Sequence, residues 1–291
     1  MRFSVIVPTY NRADMLRAAV DSVLAQDMRD FELVVVDDGS TDGTLELLAG
    51  YGGALRVLQT RRRGPGGARN AGAKAAHGEF LCFLDSDDEW HPRTLAIVDQ
   101  VLRDTAAEMV WLRAGPRSDG RTLGRLDCFV GANPFDMDGE LGGAGCWAAL
   151  RRSTFLELGG FEELLPINED NELLFRMASR GPIAHVRSPT LLWIRTHEGQ
   201  SRHGDRMRHH ESAALIFRRW LQGAYPVKGR AAHRTILEVV GRHLRPHSRL
   251  GLRGAADYLR YCVWSLVLHP TNPAGFARNV GRLVWYALRG R

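Results

Sequence analysis

An apolar run, Phe80-Leu81-Cys82-Phe83-Leu84, empties into three carboxylates within four residues: Asp85, Asp87 and Asp88. A short run with no polar interruption is the signature of a strand buried on both faces, and therefore of a mostly parallel sheet covered by helices. Ligands of such open sheets bind outside the carboxyl ends of the strands. If the chain stays extended past Leu84, its period of two puts Asp85 and Asp87 on one side. Two carboxylates there suit a hard divalent cation, Mg2+ or Mn2+, which prefers oxygen ligands and keeps positions open for phosphates. The plain alternative is an acidic turn closed by Trp90 and Pro92.

Two upstream junctions are of the same kind. Phe3 to Val7 predicts a strand stopped by Pro8, and Thr9-Tyr10-Asn11-Arg12 opens a helix with Met15, Leu16, Ala19, Val20 and Val23 at helical spacing. Phe31 to Val36 predicts a second strand, which runs into the turn-rich Asp37-Asp38-Gly39-Ser40-Thr41-Asp42-Gly43-Thr44 and a capped helix carrying Leu45, Leu47 and Leu48. Leu55 to Leu58 is a short third strand. A glycine-rich loop, Gly64-Pro65-Gly66-Gly67, leads into a helix over Ala68 to Ala76. Strands alternating with helices make an α/β, doubly wound sheet, with the polar loops gathered along one edge. The glycine loop lacks the Lys-Ser/Thr ending of a P-loop, and Arg69 stands where a dinucleotide fingerprint requires its third glycine. Neither an ATPase nor a nicotinamide enzyme is supported.

Four segments, Val5 to Arg12, Val34 to Thr44, Gly64 to Gly72 and Phe83 to Asp88, resemble the successive blocks of family 2 glycosyltransferases, in that family's order. A fifth, Gly159-Gly160-Phe161-Glu162-Glu163 through Glu169-Asp170-Asn171-Glu172-Leu173, resembles its acceptor-side motif. The resemblance covers roughly the first two-thirds of the chain. It implies a GT-A fold and inverting transfer of a sugar from a nucleoside diphosphate, with UDP the favoured carrier.

The same resemblance distributes roles. Pro8, Thr9 and Tyr10 would line the donor site, Tyr10 stacking on the base unless it is a core tyrosine. Asp38 would read the base, while Asp37 ties down its own turn. The glycine loop would carry Arg69 and Asn70 towards the nucleotide. Asp85 and Ser86 fall at the ribose and the metal, and Asp87 on the metal itself. His197, in Trp193-Ile194-Arg195-Thr196-His197, is a further metal or diphosphate candidate with a plain loop role as its alternative; Arg195 and Ser201 are weaker ones. Trp147 would form a platform under a sugar ring, or else a buried core residue. Inverting transfer needs a base for the acceptor hydroxyl. The motif puts it at Asp170, with Glu169 orienting the loop or meeting the acceptor. Read on their own, Asn168 or Asp170 would simply cap a helix whose apolar face includes Leu173, Leu174 and Met177. Asn171 and Glu172 depart from the family's aromatic and aspartate, which bears on acceptor contacts.

Three regions are expected: a donor half over 1–105, an acceptor and catalytic half over 106–205, and a basic helical extension over 206–291. The extension has helices at Ser212 to Gln222, Ala231 to Leu244, Leu252 to Leu268 and Pro273 to Leu288. It supplies most of the net charge of +6. Tyr261 to Leu268 is apolar between arginines, which suits an anionic lipid surface or packing on protein. No recognised nucleic-acid fold accompanies the charge, so no nucleic-acid partner is expected. Cys82, Cys128, Cys146 and Cys262 lie far apart, as expected of reduced thiols in a cytosolic protein. The N-terminus leads straight into a strand without a signal peptide, and no run approaches the ~20 apolar residues of a membrane span. The expected setting is cytoplasmic, with peripheral contact at the inner face of the membrane left open. The acceptor is expected to be a saccharide or lipid-linked glycan of the cell envelope. Two alternatives remain: a nucleotidyltransferase that makes activated sugars, opposed by the lack of a basic glycine loop near the N-terminus, and a non-catalytic sugar-binding relative, opposed by intact Asp85, Asp87 and Asp170.

Overall fold

The computed structural model describes residues 1–115, 125–132, 147–165, 167–197, 206–244 and 251–268. They fall into two compact units, one within Met1–Leu164 and Arg180–Gln200, the other within Leu165–Ser179 and Ser201–Arg291. The division differs from boundaries at 105 and 205: the segment with Glu169 and Asp170 groups with the C-terminal helices.

The first unit opens with β1 (Phe3–Thr9), α1 (Ala13–Leu24), β2 (Phe31–Asp37), α2 (Thr44–Ala49), β3 (Arg56–Gln59), α3 (Gly64–Ala75) and β4 (Phe80–Phe83). It continues with β5 (Asp88–Trp90), α4 (Thr94–Thr105), β6 (Met109–Leu112), β7 (Ala114–Gly115), β8 (Asp127–Gly131), β9 (Trp147–Arg151) and α5 (Arg152–Glu157). Beyond the residues of α6 (Glu169–Arg176), it closes with β10 (Ile183–Ser188) and β11 (Leu192–Ile194). Among the described residues, one sheet runs β3-β2-β1-β4-β9-β6-β10-β8 and a small one β5-β11-β7. In the large sheet β9 is antiparallel to both its neighbours, and β8 is antiparallel to β10; the other pairings are parallel.

β1 shows how period two builds the layers. Val5 and Val7 join the core that holds Leu16, Val20 and Val98 of α1 and α4. Ile6 faces the other way, against α3, where a Cβ on Gly72 would collide with its side chain. The strand does not stop at Pro8 but continues through Thr9, paired with Val36 and Asp37. Alternate residues address alternate neighbours. Ile6 O accepts from Leu84 N and Thr9 O from Asp38 N, so Pro8 faces the β4 side, where pairing has already ended. Its missing N–H therefore costs no ladder bond.

α3 begins at Gly64, four residues before the expected Ala68, so Gly66 and Gly67 are helical and not loop. The cause is distant in sequence: the Asp38 carboxylate accepts from the backbone N–H of Arg63 (2.8 Å) and Gly64 (2.8 Å), ordering the helix start. β8 is an edge strand whose partner, β10, lies far along the chain.

The second unit contains α6, α7 (Arg206–Leu221), α8 (Gly229–His243) and α9 (Gly251–Leu268). Phe217, Ile236, Leu237 and Tyr258 are fully buried or nearly so. Trp220 stacks on Phe217 at 5.8 Å, meets the edge of Trp264 at 5.2 Å and donates from Nε1 to His233 Nδ1 at 2.9 Å. Glu172, fully buried, accepts from Arg176 one turn on and from Arg219 of α7. The fourth expected helix, 273–288, lies outside the described residues. No helix among the described residues is long and apolar enough to cross a membrane.

Candidate active site

The acidic segment lies at the carboxyl end of β4, but not as an extended strand. Asp88 N–H donates to Asp85 O at 3.0 Å, closing a turn over 85–88. That turn, and not the pleat, brings Asp85, Asp87 and also Asp88 together, with one oxygen of each within 4.8 Å of the others. An all-oxygen set of this kind fits Mg2+ or Mn2+. Asp88 is buried, and burial, followed by the charges of Asp85 and Asp87, pushes its carboxyl up to about 7. Sequence reasoning counted Asp88 among the acids but assigned it nothing; its place in the triplet was the available signal.

Small-sheet pairing fixes what surrounds the turn. Asp88 opens β5 and pairs with Ile194 of β11, so the next residue, Arg195, arrives beside it. Arg195 donates its backbone N–H to Asp88 Oδ1 (3.2 Å) and its guanidinium to the carbonyls of Asp87 (2.6 Å), Ser86 (3.2 Å) and Met15 (2.8 Å). It clamps the backbone that presents the carboxylates, a positioning role understated by its weak sequence signal. Ser86 itself is buried. His197, two residues on, places Nε2 2.8 Å from Asp87 Oδ2 and lies outside the three-carboxylate group. Arg12 approaches the same Asp87 oxygen at 3.4 Å. Arg69, from the buried face of α3, pairs with Asp85 Oδ1 at 2.5 Å and lies over the Phe161 ring.

The exits of β1 and β2 are locked to each other. Asn11, in the left-handed region, accepts from Thr41 N–H, while Asp42 accepts from Ala13 N–H. Asp37 accepts from Ser40 N–H, as its turn role requires. Thr9 is buried, and its Oγ1 has no hydrogen-bond partner among the described residues. Tyr10 is no core residue: it is 36% exposed, and the Arg62 guanidinium lies 3.8 Å from its ring centre. Asp38 is buried, and besides the α3 start it accepts from Thr60 Oγ1 at 2.6 Å.

Asn70 makes three hydrogen bonds to the fifth block. Its Oδ1 accepts from Phe161 N–H at 2.8 Å and its Nδ2 donates to Phe161 O at 2.9 Å and Glu163 at 3.1 Å. Through these bonds Asn70 tethers the fifth block. Gly160 is required there: its φ is +76°, and a Cβ would strike Asn70 Oδ1. Phe83, Phe155 and Phe161 complete the tether, with ring centres 5.2 to 5.6 Å apart.

In the second unit Asp170 and the buried Glu169 occupy the first turn of α6. Asn168 makes no side-chain cap bond to that helix. Asn168 stands at the N-cap with φ +63°, and Asp170 Oδ1 accepts from the neighbouring Asn171 N–H at 2.7 Å. Trp147 begins β9, in register with Trp111; its side chain, like Ser201, lies outside what is described.

A parallel-rich sheet whose strand exits gather carboxylates, arginines and a glycine-started helix is the architecture of open α/β proteins that bind ligands at the strand ends. The family follows from comparison. The profile of glycosyl transferase family 2 matches residues 4–159, and the chain belongs to that family. An uncharacterized glycosyltransferase of Rickettsia felis is 30% identical over 208 residues, covering 68% of this chain and 34% of that protein. The poly(ribitol-phosphate) β-N-acetylglucosaminyltransferase TarS of Staphylococcus aureus is 46% identical over 101 residues, 33% of this chain and 18% of TarS. The chain thus spans about a third or less of these relatives. The structure of TarS residues 1–349 with UDP-GlcNAc superposes with a TM-score of 0.71 at 24% identity, covering 92% of this chain and 81% of that one. A Pyrobaculum calidifontis mannosyltransferase, in complex with GDP-Man and Mn2+, gives 0.57 at 21% identity, covering 99% and 86%. The fold is the GT-A fold.

Proposed function

We propose that this chain transfers a sugar, with inversion, from a nucleoside diphosphate to a hydroxyl of a saccharide or lipid-linked acceptor. The observation that carries this is the convergence of Asp85, Asp87 and Asp88 at the end of β4 in a member of this family. UDP is the favoured carrier, since the TarS structure of the same fold holds UDP-GlcNAc. Asp85 and Asp87 would hold Mg2+ or Mn2+, with His197 a further candidate ligand beside Asp87, and the ion would supply charge stabilisation for the leaving diphosphate.

The chain's own residues do the remaining work. Tyr10 offers an exposed ring to the base, and the buried Thr9 Oγ1 has hydrogen-bonding capacity to spend. Asp38 acts chiefly by holding the 60–64 backbone against that surface. Arg69 sets the position of Asp85. Asp170 takes the acceptor's proton and Glu169 supports its turn, the roles that the motif assigns. Leu259, Val263 and Val267, exposed at intervals of four on α9, are the candidate contact with an anionic leaflet.

Incubation with labelled UDP-, GDP- and TDP-sugars and Mn2+ separates the alternatives. Transfer or slow donor hydrolysis supports the proposal, pyrophosphate exchange replaces it with a nucleotidyltransferase, and neither leaves a binding module. Co-sedimentation with anionic liposomes that weakens with salt supports the membrane contact; binding indifferent to lipid charge removes it.

A further inference from the structure

We propose that Arg12 is a built-in substitute for the divalent cation: it neutralises Asp87 when the metal is away and is exchanged for it on loading. This rests on the assignment of Asp85 and Asp87 as metal ligands. Arg12 Nη1 lies 3.4 Å from Asp87 Oδ2, 3.0 Å from His197 Nε2 and 3.4 Å from His197 Nδ1. The in-plane direction of Nε2 is taken by Asp87 Oδ2 at 2.8 Å, and since a carboxylate only accepts, Nε2 carries the proton. Asp87 Oδ2 thus faces both Arg12 and His197.

A dication on Asp87 cannot share that arrangement. It would place two positive charges beside the guanidinium, a repulsion that favours the guanidinium's departure. One arginine has to leave, and the structure distinguishes which. Arg69, on Asp85, has a side chain only 10% exposed and packed over Phe161. Arg12 is 26% exposed at the N-terminus of α1, on a long unbranched stem that can swing into water. Arg12 is the exchangeable charge and Arg69 the fixed one. The acidic turn thereby stays neutralised without metal, at the cost of weaker metal affinity.

The test is Mn2+ titration of the full chain without nucleotide, reading free Mn2+ by electron paramagnetic resonance. Arg12→Gln is expected to tighten Mn2+ binding roughly tenfold, a little more than the usual strength of a partly exposed ion pair because a like charge is also removed. Arg12→Met, which keeps the apolar stem, should do the same, and both should melt like the wild type. Arg17→Gln removes an equal charge from the same helix without touching the carboxylates and should leave the affinity unchanged. Unchanged or weaker binding in both Arg12 variants overturns the exchange, as does an equal gain in Arg17→Gln, which would show a general field. Asp87→Asn separates the two levels. If it abolishes binding while the Arg12 variants match wild type, only the exchange falls. If wild type binds no Mn2+, or Asp87→Asn binds normally, the metal assignment falls with it.

Discussion

Both units pair carboxylates with arginines, yet they put those pairs to opposite uses. In the sheet unit Asp85 meets Arg69 with its side chain 42% exposed, at a strand exit where ligand can reach it. In the helical unit Glu172 meets Arg176 and Arg219 with 1% exposed, and Asp257 meets Arg218 with 3%. Such a partly exposed pair contributes little to stability. A buried one is strongly destabilising to break, because the partner charges are left stranded. Loss of function and loss of fold should therefore separate between these two kinds of pair.

The largest effect tests that separation directly. Asp87→Ala should abolish transfer and any Mn2+-dependent rise in melting temperature while the metal-free melt stays near wild type; full activity in excess EDTA would break the comparison. Next, Asp170→Asn keeps size and most hydrogen bonds but cannot accept a proton. Turnover should fall about 10²-fold or more, with donor affinity by calorimetry nearly unchanged. Near-normal turnover at saturating acceptor would transfer the role to Glu169.

Glu172→Ala sharpens the contrast from the other side. Two arginines lose their buried partner, so chemical denaturation should show a loss of about 3 kcal/mol, with no specific change in Mn2+ affinity. Asn70→Ala is a smaller structural test within the sheet unit. It strands the Phe161 N–H and C=O, costing about 1–3 kcal/mol. A change confined to donor KM, with stability intact, would instead restore Asn70 to the nucleotide.

The smallest effect is a pH dependence. The hydrogen bond from Asn70, followed by Arg63, holds the Glu163 carboxyl below its ordinary value of 4.5. A depressed folded value means the stabilisation is fully present above pH 4.5 and is lost as pH falls through the folded value. Glu163 is partly exposed, so the contribution is about 0.5 kcal/mol or less after solvent screening. Melts of wild type and Glu163→Gln should differ slightly at neutral pH and converge in acid; a gap that widens there would reverse the sign.

Local physics made much of this protein legible from sequence. The spacing of Leu16, Ala19, Val20 and Val23 fixes a helix face, and all four are fully buried. The apolar runs at Phe3, Phe31 and Phe80 fix central strands, since a strand buried on both faces tolerates little else. Family order then placed the acids at a strand exit. Tertiary structure decided what the carboxylates are held by. Arg195 reaches the Asp87 carbonyl across 108 residues because β5 pairs with β11, and three-residue strands leave almost no periodic signal. The glycine run at 64–67 is helical because Asp38, outside any local window, accepts from its first N–H groups. Asn70 and Phe161 meet although they lie 91 residues apart in the sequence. Periodicity is set by neighbours within a turn or a pleat and can be read residue by residue. Which arginine faces which carboxylate is set by chain crossings, and sequence spacing does not encode them.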